Sequence, residues 1–145
     1  MHRILATNVF LMNNKIKENS HCPYCNYEET IEHLFWNCTE VRPFWDKFQI
    51  FFRKKTGTAL VLTCKDVIFG VLSQNGNELL NHLLIIAKYL LYSIRLFNMR
   101  PSFVVFLEKI RDVICTERNI AKKTSKLEKF LVKWNALLSH FEIAQ

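Results

Sequence analysis

The stretch Leu127-Glu-Lys-Phe-Leu-Val-Lys-Trp-Asn-Ala-Leu-Leu-Ser-His-Phe141 carries an apolar side chain every three or four residues. The repeating positions are Leu127, Phe130, Leu131, Trp134, Leu137, Leu138 and Phe141. On a helix with about 3.6 residues per turn these positions share one side, so the spacing predicts an amphipathic helix over 125–141. Such a stripe is stable in water only against a second apolar surface, which the rest of the chain must supply.

Two more long helices are predicted directly upstream. The stretch 102–118 shows the same spacing, at Phe103, Phe106, Leu107, Ile110, Val113 and Ile114. The stretch 78–98 is apolar on nearly every side, which predicts a central helix against which the two amphipathic helices pack. Asn98-Met-Arg-Pro101 and residues 119–124 are predicted to separate the three helices, and residues 73–77 are predicted to form a loop.

The first half of the chain predicts shorter helices and no sheet. They span 3–12, 30–36 behind a Thr30 cap, 43–55 ended by Thr56-Gly57, and 67–71 behind a cap formed by Thr63 and Asp66. No segment alternates apolar and polar residues for long enough to found a sheet. The predicted fold is all-α, a helical bundle with a small N-terminal metal-bound knuckle, in which 1–55 and 56–145 pack as one compact domain.

Length and composition exclude several classes of protein. The chain has 145 residues, half of them hydrophobic, with only three Gly and three Pro, which is typical of one globular domain and excludes low-complexity and disordered chains. Residues 1–20 contain no secretory signal pattern. Polar residues interrupt the apolar stretch 78–98, among them Lys88 and Arg95, so we interpret it as a buried helix and expect no membrane partner.

One cysteine and histidine array has the spacing of metal ligands. Cys22, Cys25, His33 and Cys38 form a C-x2-C-x7-H-x4-C pattern within 17 residues. Three thiolates and one imidazole are the ligands of closed, tetrahedral zinc sites, so the array predicts one structural Zn²⁺. The alternative is that these are ordinary buried cysteines and a core histidine. His21, next to Cys22, is a competing ligand that ranks below His33.

The array also makes a geometric demand. Residues five apart on an ideal α-helix differ in direction by about 140°, so His33 and Cys38 cannot both face the metal from one regular helix. The helix that carries His33 should therefore end near Trp36–Asn37. Four protein ligands leave no coordination position for water, so we expect the metal to stabilise the fold and not to catalyse a reaction.

The remaining reactive residues suggest no enzyme. The odd number of cysteines and their clustering favour a reducing, intracellular compartment, nuclear or cytoplasmic. Core packing is expected for Cys64 and Cys115, and half-buried surface positions for His82 and His140. The sequence contains no phosphate-binding glycine loop, nucleophile elbow or paired carboxylates, so no small-molecule substrate is expected.

The positive charge is concentrated in the second half. The net charge is +7, with nine Lys and Arg against seven Asp and Glu in 1–72 but eleven against six in 73–145. The cations of one turn and helix face are Arg118, Lys122, Lys123, Lys126, Lys129 and Lys133. Such a face can follow the phosphate backbone of RNA or DNA, although a merely solvated face explains it equally well.

A second candidate surface is the knuckle itself. Tyr24 and Tyr27 lie in its turn, where their rings can stack on unpaired bases. The neighbouring aromatic residues, Phe35, Trp36, Phe44 and Trp45, are dense enough to be the core beneath the metal.

Four segments together resemble a known family. They are His2–Asn8, Cys22-Pro-Tyr-Cys25, Glu29-Thr-Ile-Glu-His33-Leu-Phe-Trp-Asn-Cys38 and Val41-Arg-Pro-Phe-Trp45. This pattern resembles the zinc-binding region that follows the reverse transcriptase in non-LTR (LINE-type) retrotransposon polyproteins. Weaker similarity extends through Lys65–Gly70, Ala87–Tyr89, Pro101–Phe103 and Lys133-Trp134.

The resemblance implies a role without catalysis. The polymerase and endonuclease of that family lie outside these 145 residues, so the chain resembles a detached C-terminal piece of such a polyprotein. The family's zinc segment engages the element's RNA or the target DNA, in the nucleus, and the rest of the polyprotein is an implied partner. Only the ligands Cys22, Cys25, His33 and Cys38 carry over residue by residue. A zinc-buttressed protein-interaction domain, or an inert remnant, is the alternative.

Overall fold

The computed structural model describes residues 5–72 and 77–142, and within these ranges the chain is all-α, as predicted. The helices are α1 (Asn8–Asn13), a π-helix (His33–Asn37), α2 (Arg42–Thr56), α3 (Cys64–Phe69), α4 (Glu78–Leu96), α5 (Phe103–Lys123) and α6 (Leu127–Leu138). The only strand-like pairing in the described ranges is an isolated bridge between His21 and Glu28. Residues 3–4 of the first predicted helix and 73–76 of the predicted loop lie outside the described residues. The grouping into 1–55 and 56–145 stays a prediction.

The central helix is α4, as the sequence predicts. It contacts α5, α6 and the π-helix, and it buries Leu83, Leu84 and Ala87 almost completely. Among the described residues it is the one helix long and apolar enough to cross a membrane by length and composition. One side of it lies in the core of the bundle, whereas Ile85 and Tyr89 are more than half exposed.

Helices α5 and α6 pack side by side and bury their predicted stripes. Ile110 and Ile114 of α5 and Trp134 of α6 are fully enclosed. The predicted end of α5 at residue 118 is too early, and the helix continues to Lys123. Ala121 is buried in that last turn, and packing there outweighs the weak helix propensity of Asn119.

The predicted bounds of α6 are too wide at both ends. Ser125 has a φ of +55°, which breaks the helix before Leu127. The helix ends at Leu138, and Phe141 reaches the core from the turn that follows.

Helix α2 supplies the aromatic half of the core. Trp45 is fully buried and donates its indole N–H to the Phe35 carbonyl at 2.6 Å. Phe44 lies edge-on to Phe106 of α5 with ring centroids 5.2 Å apart. The predicted stop is confirmed: Gly57 follows the helix with a φ of +72°, a conformation that glycine adopts without strain.

Two short helices differ from their predicted bounds because of local caps. Thr7, predicted inside the first helix, instead caps it: the Thr7 hydroxyl accepts from the Phe10 N–H, so α1 starts at Asn8. The predicted Thr63–Asp66 capping box is present at α3, although that helix starts earlier, at Cys64. Gly70, predicted inside the helix, ends it with a φ of +86°.

Candidate metal centre

The four predicted ligands come together in space. One ligand atom from each of Cys22, Cys25, His33 and Cys38 lies within 4.8 Å of all the others. The Cys22 and Cys38 Sγ atoms are 3.9 Å apart, and Cys25 Sγ lies 3.1 Å from His33 Nε2. Thiolates 2.3 Å from one ion at tetrahedral angles stand about 3.8 Å apart. The three cysteines form no disulfide, and together with His33 they can bind one metal ion.

A tight turn aims the first two sulfurs at one point. The Asn26 N–H donates to the Cys22 carbonyl at 3.2 Å, and the Cys22 N–H donates to the Tyr27 carbonyl at 2.7 Å. Asn26 adopts a left-handed φ of +64°, which asparagine tolerates better than most residues. The chain therefore reverses directly after Cys25, and both sulfurs lie on the same side of the turn.

The π-helix allows His33 and Cys38 to face the same point, which a regular α-helix would not allow. The Cys38 N–H donates to the His33 carbonyl at 3.0 Å, an i→i+5 hydrogen bond that widens the turn and brings residue 38 back over residue 33. Cys38 itself is extended, so the helix ends at Asn37, as predicted. The predicted cap is also present: the Thr30 hydroxyl accepts from the His33 N–H at 3.1 Å. The sequence did not predict that the turn is π rather than α.

The ligands are largely shielded from water. Cys22, His33 and Cys38 are buried and Cys25 is half-buried. Burial lowers the pKa of His33, so its ring is neutral and able to donate a lone pair to a metal. Burial raises the pKa of the Cys38 thiol to about 12, because a lone thiolate is costly in this setting. A bound cation removes that cost by neutralising the thiolate.

A buried ion pair between Glu29 and Arg95, which the sequence did not predict, anchors the segment between Cys25 and His33 to α4. Glu29 and Arg95 are 1% and 6% exposed, and the Arg95 Nε donates to Glu29 Oε2 at 2.8 Å. The same guanidinium donates to Asn8 Oδ1 at 3.0 Å, and the Asn8 N–H donates to Glu29 Oε1 at 2.8 Å. The network joins α1, the segment between the two ligand pairs and the end of α4. Its sequence signal was a lone Arg late in an apolar helix, which requires a buried partner.

A second set of contacts fixes the knuckle to the α4–α5 loop. The Tyr24 hydroxyl donates to the Met99 carbonyl. Arg100 lies 3.7 Å from Glu40, two residues after the last ligand. Burial raises the pKa of Tyr24 to about 12, so its hydroxyl stays a donor at neutral pH.

The two candidate stacking residues differ in accessibility. Tyr27 is 68% exposed, whereas Tyr24 is half-buried and its hydroxyl donates a hydrogen bond to the Met99 carbonyl. His21 is exposed and lies outside the four-ligand cluster, whereas His33 lies within it.

The predicted basic face lies on the α5–α6 turn. Lys122, Lys123, Lys126 and Lys129 are exposed and Arg118 is half-buried. Lys133 is different: its side chain is 15% exposed, and its Nζ lies 3.1 Å from Glu117 Oε2. That carboxylate also accepts from the Trp134 indole at 2.7 Å. Lys133 is thus partly neutralised, and the solvated cations are the four exposed lysines.

The other singled-out residues have simple environments. Cys64 is half-buried, but Cys115 is exposed, so core packing was the wrong prediction for Cys115. It follows Ile114 on α5 by one position, which turns it away from the buried stripe. His82 and His140 are half-buried, as predicted.

Neither the models of protein families nor the curated proteins with which the chain was compared match it. The chemistry of the site therefore rests on its geometry. Three sulfurs and one nitrogen that converge on one point can hold an ion with all four tetrahedral positions filled by protein.

Proposed function

We propose that the chain is a zinc-stabilised, non-catalytic module that binds nucleic acid inside the cell. The observation that carries the proposal is the convergence of Cys22, Cys25, His33 and Cys38 within 4.8 Å. Thiolate and imidazole ligands at tetrahedral spacing favour Zn²⁺ over Mg²⁺ or Ca²⁺, which prefer oxygen. A reducing compartment keeps such thiols available for the metal.

The zinc would hold a surface together rather than react. A catalytic zinc keeps one position open for water, whereas four protein ligands close this one. Zinc also fixes the relation between the knuckle and the end of α4, because Glu29 lies between the ligand pairs and binds Arg95. Structural zinc contributes about 10–16 kcal/mol of apparent binding free energy in small peptides, enough to determine whether the knuckle folds.

The exposed lysines support nucleic-acid binding. Lys122, Lys123, Lys126 and Lys129 follow one another around the α5–α6 turn, on a chain of net charge +7. Lysines spaced along a surface displace counterions from a phosphate backbone, which drives binding and makes it salt-dependent. The exposed ring of Tyr27 on the knuckle offers a stacking surface, and the resemblance to the retrotransposon zinc segment supports the same role.

Metal analysis tests the zinc proposal. We expect one zinc per chain in the purified protein by mass spectrometry and loss of that zinc in Cys25→Ser. Cys115→Ser is the matched control, because Cys115 is an exposed thiol outside the cluster. Equal zinc in the wild type and Cys25→Ser would refute the assigned ligand set.

Salt-dependent binding of single-stranded RNA tests the second part. Removing two phosphate contacts by Lys122→Gln with Lys123→Gln should reduce the slope of log K against log salt by roughly 1.4. Lys47→Gln with Lys54→Gln removes the same charge from exposed positions on α2 and should change the slope less. If both pairs behave alike, binding depends on net charge alone and the basic face is not the site.

A protein-interaction domain is the second candidate, because an exposed apolar run lies beside the knuckle. Leu96, Phe97 and Met99 are all more than half exposed at the end of α4, and Tyr24 ties this loop to the metal turn. Exposed apolar patches often mark protein interfaces. One zinc per chain without any RNA binding would favour this function.

A further inference from the structure

A groove lies where the first turn of α4, the last turn of α5 and the first turns of α6 meet. Its volume is about 400 Å³, which falls in the range of small-ligand sites. One wall is apolar and includes Ile120, which is 55% exposed. The rim carries Lys126 and Lys129, which belong to the basic face. The groove is thus a concave part of that face with both apolar and charged walls.

We infer that this groove holds one unpaired nucleotide of a single-stranded nucleic acid and prefers a base with an exocyclic amino group. The inference rests on the proposed nucleic-acid binding and adds the position and the base preference. Single-stranded nucleic acids present unstacked bases that proteins hold against apolar or aromatic side chains while cations hold the phosphates.

The lysines favour a phosphate-bearing occupant. Lys126 and Lys129 are exposed on the same rim, so a strand crossing the α5–α6 turn meets both ammonium groups. An ammonium group has three donors and no acceptor, which suits phosphate oxygens. The base of the same nucleotide then turns away from water toward the Ile120 wall.

Two carboxylates account for the base preference. Glu78 and Glu117 line the groove together with Lys126 and Lys129, and Lys133, the ion-pair partner of Glu117, lines it as well. Ionised carboxylates only accept hydrogen bonds, so they pair with the N4 amino group of cytosine and repel the O4 carbonyl that uracil presents there. Glu117 is held in place because its Oε2 accepts from Trp134 and Lys133, while its Oε1 accepts from Lys133 at 3.3 Å and lies 3.7 Å from His82 Nδ1.

Binding of short oligocytidylate and oligouridylate, measured by fluorescence anisotropy at one salt concentration, tests the inference. The two strands carry the same phosphates, so a difference reports on the base. We expect the wild type to bind oligocytidylate about tenfold more tightly, the size of one good side-chain-to-base contact. Glu78→Gln should remove most of that ratio, because an amide also donates to a carbonyl. Glu108→Gln, on exposed α5 surface, should leave the ratio unchanged.

The apolar wall has its own test. Ile120→Ser should weaken the binding of both oligonucleotides several-fold, because in this arrangement Ile120 contacts the base and not the phosphate. Val104→Ser is the matched control: Val104 is an exposed β-branched residue on the same helix, four turns away. Both positions are exposed, so neither variant should unfold the protein.

Each outcome separates this inference from the proposed function. Equal, salt-dependent binding of the two oligonucleotides would overturn the groove and leave the basic face as a non-selective binder. Competition by poly-L-glutamate as strong as that by oligocytidylate at the same charge concentration would overturn it too, since that polyanion has no bases. If neither oligonucleotide bound, both the groove and the proposed nucleic-acid binding would be overturned. The zinc site would be unaffected by that result, because zinc content is measured separately.

Discussion

Arg95 donates from its Nε to Glu29 Oε2 at 2.8 Å in an almost dry environment, and this contact joins the last turn of α4 to the segment between the two ligand pairs. Two further donors of the same guanidinium reach Asn8 and the Ala6 carbonyl. Every charge and dipole in the network thus has a partner, as burial requires. The metal turn, α1 and the central helix are therefore connected by polar contacts as well as by apolar packing.

Breaking this pair should destabilise the protein strongly. Arg95→Met removes the cation and leaves the Glu29 carboxylate buried, which costs about 3–5 kcal/mol in comparable cases. The free energy of unfolding from urea titration measures the loss. Arg100→Ala is the control, because Arg100 is 82% exposed and its contact with Glu40 spans 3.7 Å, so the expected change is below about 1 kcal/mol. A similar decrease in the free energy of unfolding in both variants would show that the buried contacts of Arg95 stabilise the protein no more than the exposed contact of Arg100.

The long helices and the metal site could be predicted from the sequence because each depends on local spacing. The 3.6-residue repeat identifies α5 and α6, and the C-x2-C-x7-H-x4-C pattern brings four soft ligands within reach of one another. Even the end of the His33 helix follows from the direction of neighbouring side chains.

What could not be predicted depends on contacts distant in sequence. Glu29 and Arg95 are 66 residues apart, and neither position alone indicates its partner. The extension of α5 to Lys123 depends on the burial of Ala121 against other helices, which local propensity does not reveal. The exposure of Cys115, in contrast, follows from its place one residue after Ile114, outside the predicted stripe of α5.

Removing the metal should lower the stability of the folded protein. We expect a strong zinc chelator to reduce the melting temperature of the wild type, because four ligands then lose a bond that exists only in the folded knuckle. Differential scanning calorimetry with and without chelator measures the shift. Cys25→Ser should melt lower from the start and respond little to chelator, while Cys115→Ser should respond like the wild type. A chelator effect of equal size in Cys25→Ser would contradict this.

Acid should destabilise the protein partly through His82. Burial, with a smaller contribution from Lys133, lowers the pKa of His82 below its usual value of 6.5. The unfolded chain therefore binds a proton more readily than the folded one, and the free energy of unfolding falls as the pH drops below 6.5 toward the folded pKa. His82→Gln should show a shallower loss as the pH falls below 6.5 in urea titrations. His21→Gln, at an exposed position, should keep the wild-type slope, and an unchanged slope in His82→Gln would refute the assignment.

Glu117 should be worth more to stability than its half-exposed position suggests. Its Oε2 accepts from the indole N–H of Trp134 at 2.7 Å. Trp134 is fully buried, and among the described residues its indole N–H has no other hydrogen-bond acceptor. Glu117→Leu leaves that donor without an acceptor, and we expect a loss of about 1–3 kcal/mol in the free energy of unfolding. Glu117→Gln keeps a carbonyl oxygen within reach and should recover part of the loss, whereas Glu128→Leu on the exposed side of α6 should change little. Equal stability of Glu117→Leu and Glu117→Gln, measured by urea titration, would show that the indole finds water instead and that this hydrogen bond does not stabilise the α5–α6 pair.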